Sequence, residues 1–111
     1  MISYEKGDIV LVPFPFTDLS TNKKRPGLVI SPAVLNRTGD VTLAFITSQL
    51  AVLQRPGDCE IRDWRPAGLP KPSMTRMKVV TLSSGLIIKR LGRLSERDKR
   101  TIFGTIRRTF G

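Results

Sequence analysis

Short apolar runs rich in β-branched residues, each cut off by proline, glycine or aspartate, set the fold class of this chain. Ile9-Val10-Leu11-Val12 follows Gly7-Asp8 and is the first. Such a run reads as a buried strand. Pro13 and Pro15 end its ladder, because proline has no N–H to donate. Gly27-Leu28-Val29-Ile30-Ser31 reads as a second strand, closed by Pro32. Val41 to Thr47 reads as a third, entered through Thr38-Gly39-Asp40. Cys59-Glu60-Ile61 follows the turn Pro56-Gly57-Asp58 as a shorter one. Ser73 to Thr81 and Leu86 to Leu91 complete the set, and residues 13 to 25 and 64 to 72 read as loops.

The last segment changes period. Ser95 stands as a helix cap, and Asp98 sits where a capping acid reaches back. Glu96 and Asp98 also suit the positive end of the helix dipole. Ile102, Phe103, Ile106 and Phe110 then fall on one helical face. That stripe reads as core, with a subunit interface as the second reading. Gly104 weakens the helix without breaking it. Short strands followed by one helix predict a mainly β domain spanning residues 1–111. Its form is a small curled sheet or barrel with the helix at its side.

Charge narrows the partner. Lys and Arg number 19 against 9 Asp and Glu, a formal charge of +10 on 111 residues. An excess of that size points to an anionic partner, nucleic acid above all. No apolar run approaches the roughly 18 residues that cross a bilayer, so a membrane role is not expected. A single cysteine, Cys59, cannot form an internal disulfide, which fits the cytoplasm. The chain has no histidine. A histidine triad, a two-histidine ribonuclease and a histidine-based metal site are therefore all impossible.

Three groups of residues can meet phosphate. Lys23-Lys24-Arg25-Pro26 ends the long loop, with a planar guanidinium fork beside two mobile point charges. Thr47-Ser48 places two hydroxyls at a strand end, where they either donate to phosphate or satisfy local backbone. Arg76 lies in a strand-like segment and needs a wet face or an anion. Trp64, flanked by Arg62 and Arg65, reads either as a base-stacking ring or as a half-buried loop anchor.

The order of these segments resembles the MazF/PemK family of toxin endoribonucleases. Gly7-Asp8-Ile9-Val10 leads through a loop to Lys24-Arg25-Pro26-Gly27-Leu28-Val29-Ile30. Phe45-Ile46-Thr47-Ser48, Lys71-Pro72-Ser73-Met74-Thr75-Arg76 and Arg90-Leu91-Gly92-Arg93 follow in the family's order. The resemblance implies a small SH3-like barrel, usually a homodimer, and metal-independent cleavage of single-stranded RNA without a cofactor. It implies attack by a ribose 2′-hydroxyl, leaving a 2′,3′-cyclic phosphate and a 5′-hydroxyl. The implied protein partner is an acidic antitoxin. The resemblance assigns Arg25, Thr47 and Arg76 to catalysis. Asp8, Lys23, Lys24, Ser48 and Lys78 are assigned to RNA binding. Some relatives carry an acid, proposed as general base, where this chain has Lys78. Asp8 either takes part of that role or organises the loop. The competing reading is a non-catalytic SH3-like module that holds nucleic acid by charge alone.

Overall fold

Successive side chains of a strand point to opposite faces, so an unbroken apolar run needs cover on both sides. In the computed structural model, which describes residues 3–14, 23–50 and 55–110, both sides are covered. The strands are β1 (Asp8–Pro13), β2 (Lys24–Val29), β3 (Asp40–Thr47), β4 (Cys59–Ile61), β5 (Ser73–Ser83) and β6 (Lys89–Arg93). They form one antiparallel sheet in the order β4-β5-β3-β2-β1-β6. Ile9, Leu28, Ala44 and Ile46 project to one face and join Ile61, Ile102 and Phe103. Val10, Val12, Val29, Val41 and Leu43 project to the other and meet Tyr4, Leu82 and Ile87.

The sheet is a half-barrel, with β4 and β6 at its two ends among the described residues. Helix α2 (Glu96–Phe110) packs beside β4, as the sequence leads one to expect. Its stripe is core for Ile102 and Phe103, whereas Phe110 is exposed. Ser95 Oγ accepts the Asp98 N–H at 3.3 Å and caps the helix. The Asp98 carboxylate does not reach back. It accepts the N–H groups of Arg62 and Asp63 at 3.2 and 2.8 Å and ties the preceding turn to the helix.

Several elements differ from the sequence reading. β2 starts at Lys24 rather than Gly27, so Lys24, Arg25 and Pro26 belong to a strand. Pairing with Val12 and Pro13 draws Arg25 and Lys24 into the sheet. The final strand runs from Lys89 to Arg93, because Ser84–Leu86 forms a 3-10 turn. Its Gly85 N–H donates to Ser83 Oγ. A short helix, α1 (Ala33–Asn36), follows Pro32. Buried Asn36 anchors it by donating to the carbonyls of Tyr4 and Ser31 at 2.9 and 3.0 Å. Four residues are too few for helical periodicity to show.

Candidate nucleic-acid interface

The site opens where two strands part. β2 and β3 are paired at Gly27↔Phe45, Leu28↔Ala44 and Val29↔Leu43, and the pairing stops there. Pro26 comes next on β2 and has no N–H to continue the ladder, the position a strand tolerates for proline. Continuing the register by two residues sets Arg25 across from Thr47. A cleft of about 400 Å³ lies here. Arg25, Thr47, Gln49, Arg76 and Lys78 supply its polar wall, and Val12, Leu43, Ile46 and Val80 its apolar part. A second cleft, of about 610 Å³, runs past Lys24, Ser48 and the segment from Gly68 to Lys71. Arg25, Pro26, Ile46, Thr47 and Gln49 line both, so they form the wall the two clefts share.

Arg25 is exposed. Its guanidinium lies 5.6 Å from the centre of the Phe14 ring, and Nη1 donates to the Lys24 carbonyl at 3.2 Å. Those contacts brace the side chain while leaving most of its five N–H donors for a ligand. Thr47 Oγ1 accepts the Gln49 N–H at 3.1 Å. A hydroxyl that accepts keeps its proton to donate, so local satisfaction and phosphate binding coexist in one group.

Arg76 and Lys78 reach the first cleft through an irregularity in β5. One step on β3, from Ala44 to Phe45, is matched on β5 by the move from Val79 to Arg76. Bulges of this kind re-aim side chains. Arg76 is 13% exposed and pairs through Nη2 with Asp58 Oδ2 at 3.0 Å.

The remaining sequence candidates divide. Lys24 and Ser48 are exposed and line the second cleft. Lys23 is exposed but lines neither. Asp8 is placed apart from the clefts. Its carboxylate is 1% exposed and pairs with Arg90 Nη2 and Arg93 Nε, each at 3.0 Å. It also accepts the Glu5 N–H at 2.9 Å. Asp8 thus organises the turn into β1 and lines neither cleft. Trp64 is half-buried against the core with Arg65 stacked over it at 4.9 Å, the arrangement of an anchor. Phe14, Gln49 and Asp58 were not among the sequence candidates. Neither an aromatic in a loop nor a turn aspartate carries a local signal of its own.

An antiparallel half-barrel with a basic, hydroxyl-bearing cleft at its sheet opening is the class of protein these features define. The family model for the PemK-like, MazF-like toxins of type II toxin–antitoxin systems matches residues 5–110. The chain belongs to that family. Solved structures agree in fold. An endoribonuclease in complex with its cognate antitoxin, from a mycobacterial species, superposes with a TM-score of 0.75 at 18% identity. The match covers 100% of this chain and 96% of that one. MazF of Deinococcus radiodurans gives 0.73 at 21% identity, covering 100% and 99%. The MazE–MazF complex of the same organism gives 0.75 at 19%, covering 100% and 98%. A search of curated protein sequences found no significant match.

Proposed function

We propose that this chain is the endoribonuclease toxin of a type II toxin–antitoxin pair and cuts single-stranded RNA. The observation that carries this reading is the wall shared by the two clefts. A strand of RNA laid along both would set a phosphate against Arg25 and Thr47. The reaction is attack by the adjacent 2′-hydroxyl on that phosphate, with departure of the 5′-oxygen. Its products are a 2′,3′-cyclic phosphate and a 5′-hydroxyl.

The chemistry asked of the protein is stabilisation of charge on the phosphorane. Arg25 offers a fixed positive fork, Thr47 a hydroxyl donor, and Arg76 a second guanidinium across the cleft. Among the described residues the linings of both clefts contain no carboxylate. In this proposal the 2′-hydroxyl proton passes to water or a phosphate oxygen, a route that needs no side chain from those linings. Lys24, Ser48 and Lys78 hold the flanking backbone. An acidic antitoxin segment competes for the same surface, and the working unit is a cytoplasmic homodimer.

The test is incubation of the purified, antitoxin-free chain with single-stranded RNA in EDTA, followed by analysis of the ends. Cyclic phosphate and 5′-hydroxyl termini, lost in Arg25→Ala, are the expected result. RNA that is bound but left intact would make the chain a binding module instead.

A further inference from the structure

Arg76 is held by a carboxylate that is itself braced. Asp58 ends the turn Arg55-Pro56-Gly57-Asp58. Its N–H donates to the Arg55 carbonyl at 3.0 Å, and its Oδ2 accepts the Arg55 N–H at 2.9 Å. Gly57 has φ +92, a region that favours glycine. A Cβ there would lie 2.4 Å from Met77 Cγ and 3.2 Å from Thr109 Oγ1. The turn is therefore pressed onto β5 and α2 and has little room to shift. Its carboxylate is 1% exposed and meets Arg76 Nη2 at 3.0 Å.

The pair is incomplete in a telling way. A guanidinium and a carboxylate commonly engage through two parallel bonds. Here Nη2 alone is bonded to Asp58, and Arg76 Nε and Asp58 Oδ1 are both buried with no hydrogen-bond partner among the described residues. Asp58 thus takes Nη2 and leaves the two N–H groups on Nη1 of a cleft-lining arginine outside that bond.

We propose that Asp58 is a positioning residue for Arg76, fixing its guanidinium so that the remaining donors meet the phosphate as charge develops. This rests on the nuclease reading above. The carboxylate also offsets part of the positive field that attracts ground-state RNA. Removing its charge should therefore leave RNA binding intact or tighter while slowing turnover. A merely structural aspartate would not produce that split.

The experiment is steady-state cleavage of a short single-stranded RNA by the wild-type chain and by Asp58→Asn, Asp58→Glu, Arg76→Ala and the Asp58→Asn/Arg76→Ala pair. Asp58→Asn keeps an oxygen for the Arg55 N–H and removes the charge. Its kcat should fall about 10- to 100-fold, the scale of a small misplacement, with KM unchanged or lower. On the Arg76→Ala background the same change should leave kcat alone. Asp58→Glu should recover part of the loss. The proposal is overturned if Asp58→Asn matches wild type in kcat, or if its effect is as large without Arg76. An Asp58→Glu variant as slow as Asp58→Asn, at an unchanged melting temperature, would also overturn it. A wild-type chain that leaves the RNA whole overturns the nuclease reading itself, a separate outcome.

Discussion

Gly68 and Gly92 meet backbone to backbone where the turn after β4 crosses β6. A Cβ on Gly68 would lie 2.1 Å from the Leu91 carbonyl oxygen, and one on Gly92 would lie 2.3 Å from that of Ala67. No side chain fits between them. This contact brings the two ends of the half-barrel together without a hydrogen-bonded strand pair. It also fixes the segment from Gly68 to Lys71 that walls the second cleft. Gly92→Ala should destabilise the fold by about 1–3 kcal/mol through overpacking. At about 4–8 °C per kcal/mol for a domain near this size, a thermal melt resolves it. A wild-type melting temperature would mean the crossing relaxes freely.

Asp8 should matter for stability rather than for RNA. Its carboxylate gathers Arg90, Arg93 and the Glu5 N–H in a buried position. Asp8→Asn keeps the shape but loses charge-assisted bonds, a loss of about 1–3 kcal/mol. The urea midpoint should drop accordingly. Cleavage per folded molecule and RNA affinity should hold. A selective loss of RNA affinity in a variant of normal stability would return Asp8 to the RNA site.

The sheet was legible because its apolar runs are long enough to demand cover on both faces. The Ser95 cap on α2 was legible, but the use of the Asp98 carboxylate was not, because its partners Arg62 and Asp63 lie more than thirty residues away. The paired strand at Lys24 and Arg25 was not, since two bases and a proline look like loop until Val12 and Pro13 claim them as partners. The fate of Asp8 was hidden for the same reason. Its partners Arg90 and Arg93 lie on the last strand, and only antiparallel pairing of β1 with β6 brings them together. Arg25 and Thr47 could be picked out one at a time, but the parting of β2 and β3 that sets them across a cleft is a property of the sheet.

Thr47 tests whether the strand-end hydroxyl is chemical or only local. Thr47→Val removes the hydroxyl at nearly constant volume. The Gln49 N–H it served is on an exposed residue and can turn to water. Stability should change little. If the hydroxyl donates to the phosphorane, kcat should fall about 100- to 1,000-fold, as for loss of one preorganised donor. Thr47→Ser should retain most activity. Activity kept in Thr47→Val but lost in Thr47→Ser would point to packing of the methyl group instead.

Salt separates residues that touch the RNA backbone from those that do not. For single strands, each neutralised phosphate contributes a slope of about −0.7 to log affinity against log salt. Lys24→Ala and Lys78→Ala should each flatten the slope by about that amount. Each lies in a cleft, Lys24 in the second and Lys78 in the first. Lys23→Ala should do less, because Lys23 lines neither. Filter-binding titrations across a salt series read this directly. An unchanged slope in both cleft variants would place the RNA elsewhere.

Asp63 gives a pH prediction away from the cleft. Hydrogen bonds from Arg97 and Ser95 hold its carboxyl at about 2, below the ordinary 3.8. Arg97 Nε and Nη2 donate to its two oxygens at 2.8 Å each, and Ser95 Oγ donates at 2.6 Å. A depressed carboxylate contributes stability that is present above its unfolded value and lost as pH falls through its folded one. The contribution should therefore be whole at neutral pH and fade between about pH 4 and pH 2. Its size should be small, because Arg97 is largely exposed and water screens the pair. The direct measurement is NMR titration of the Asp63 carboxyl. Arg97→Ala should raise the midpoint part of the way toward 3.8, and adding Ser95→Ala should raise it further. A midpoint unmoved by Arg97→Ala would assign the depression to Ser95 and leave the Arg97 ion pair without a part in it.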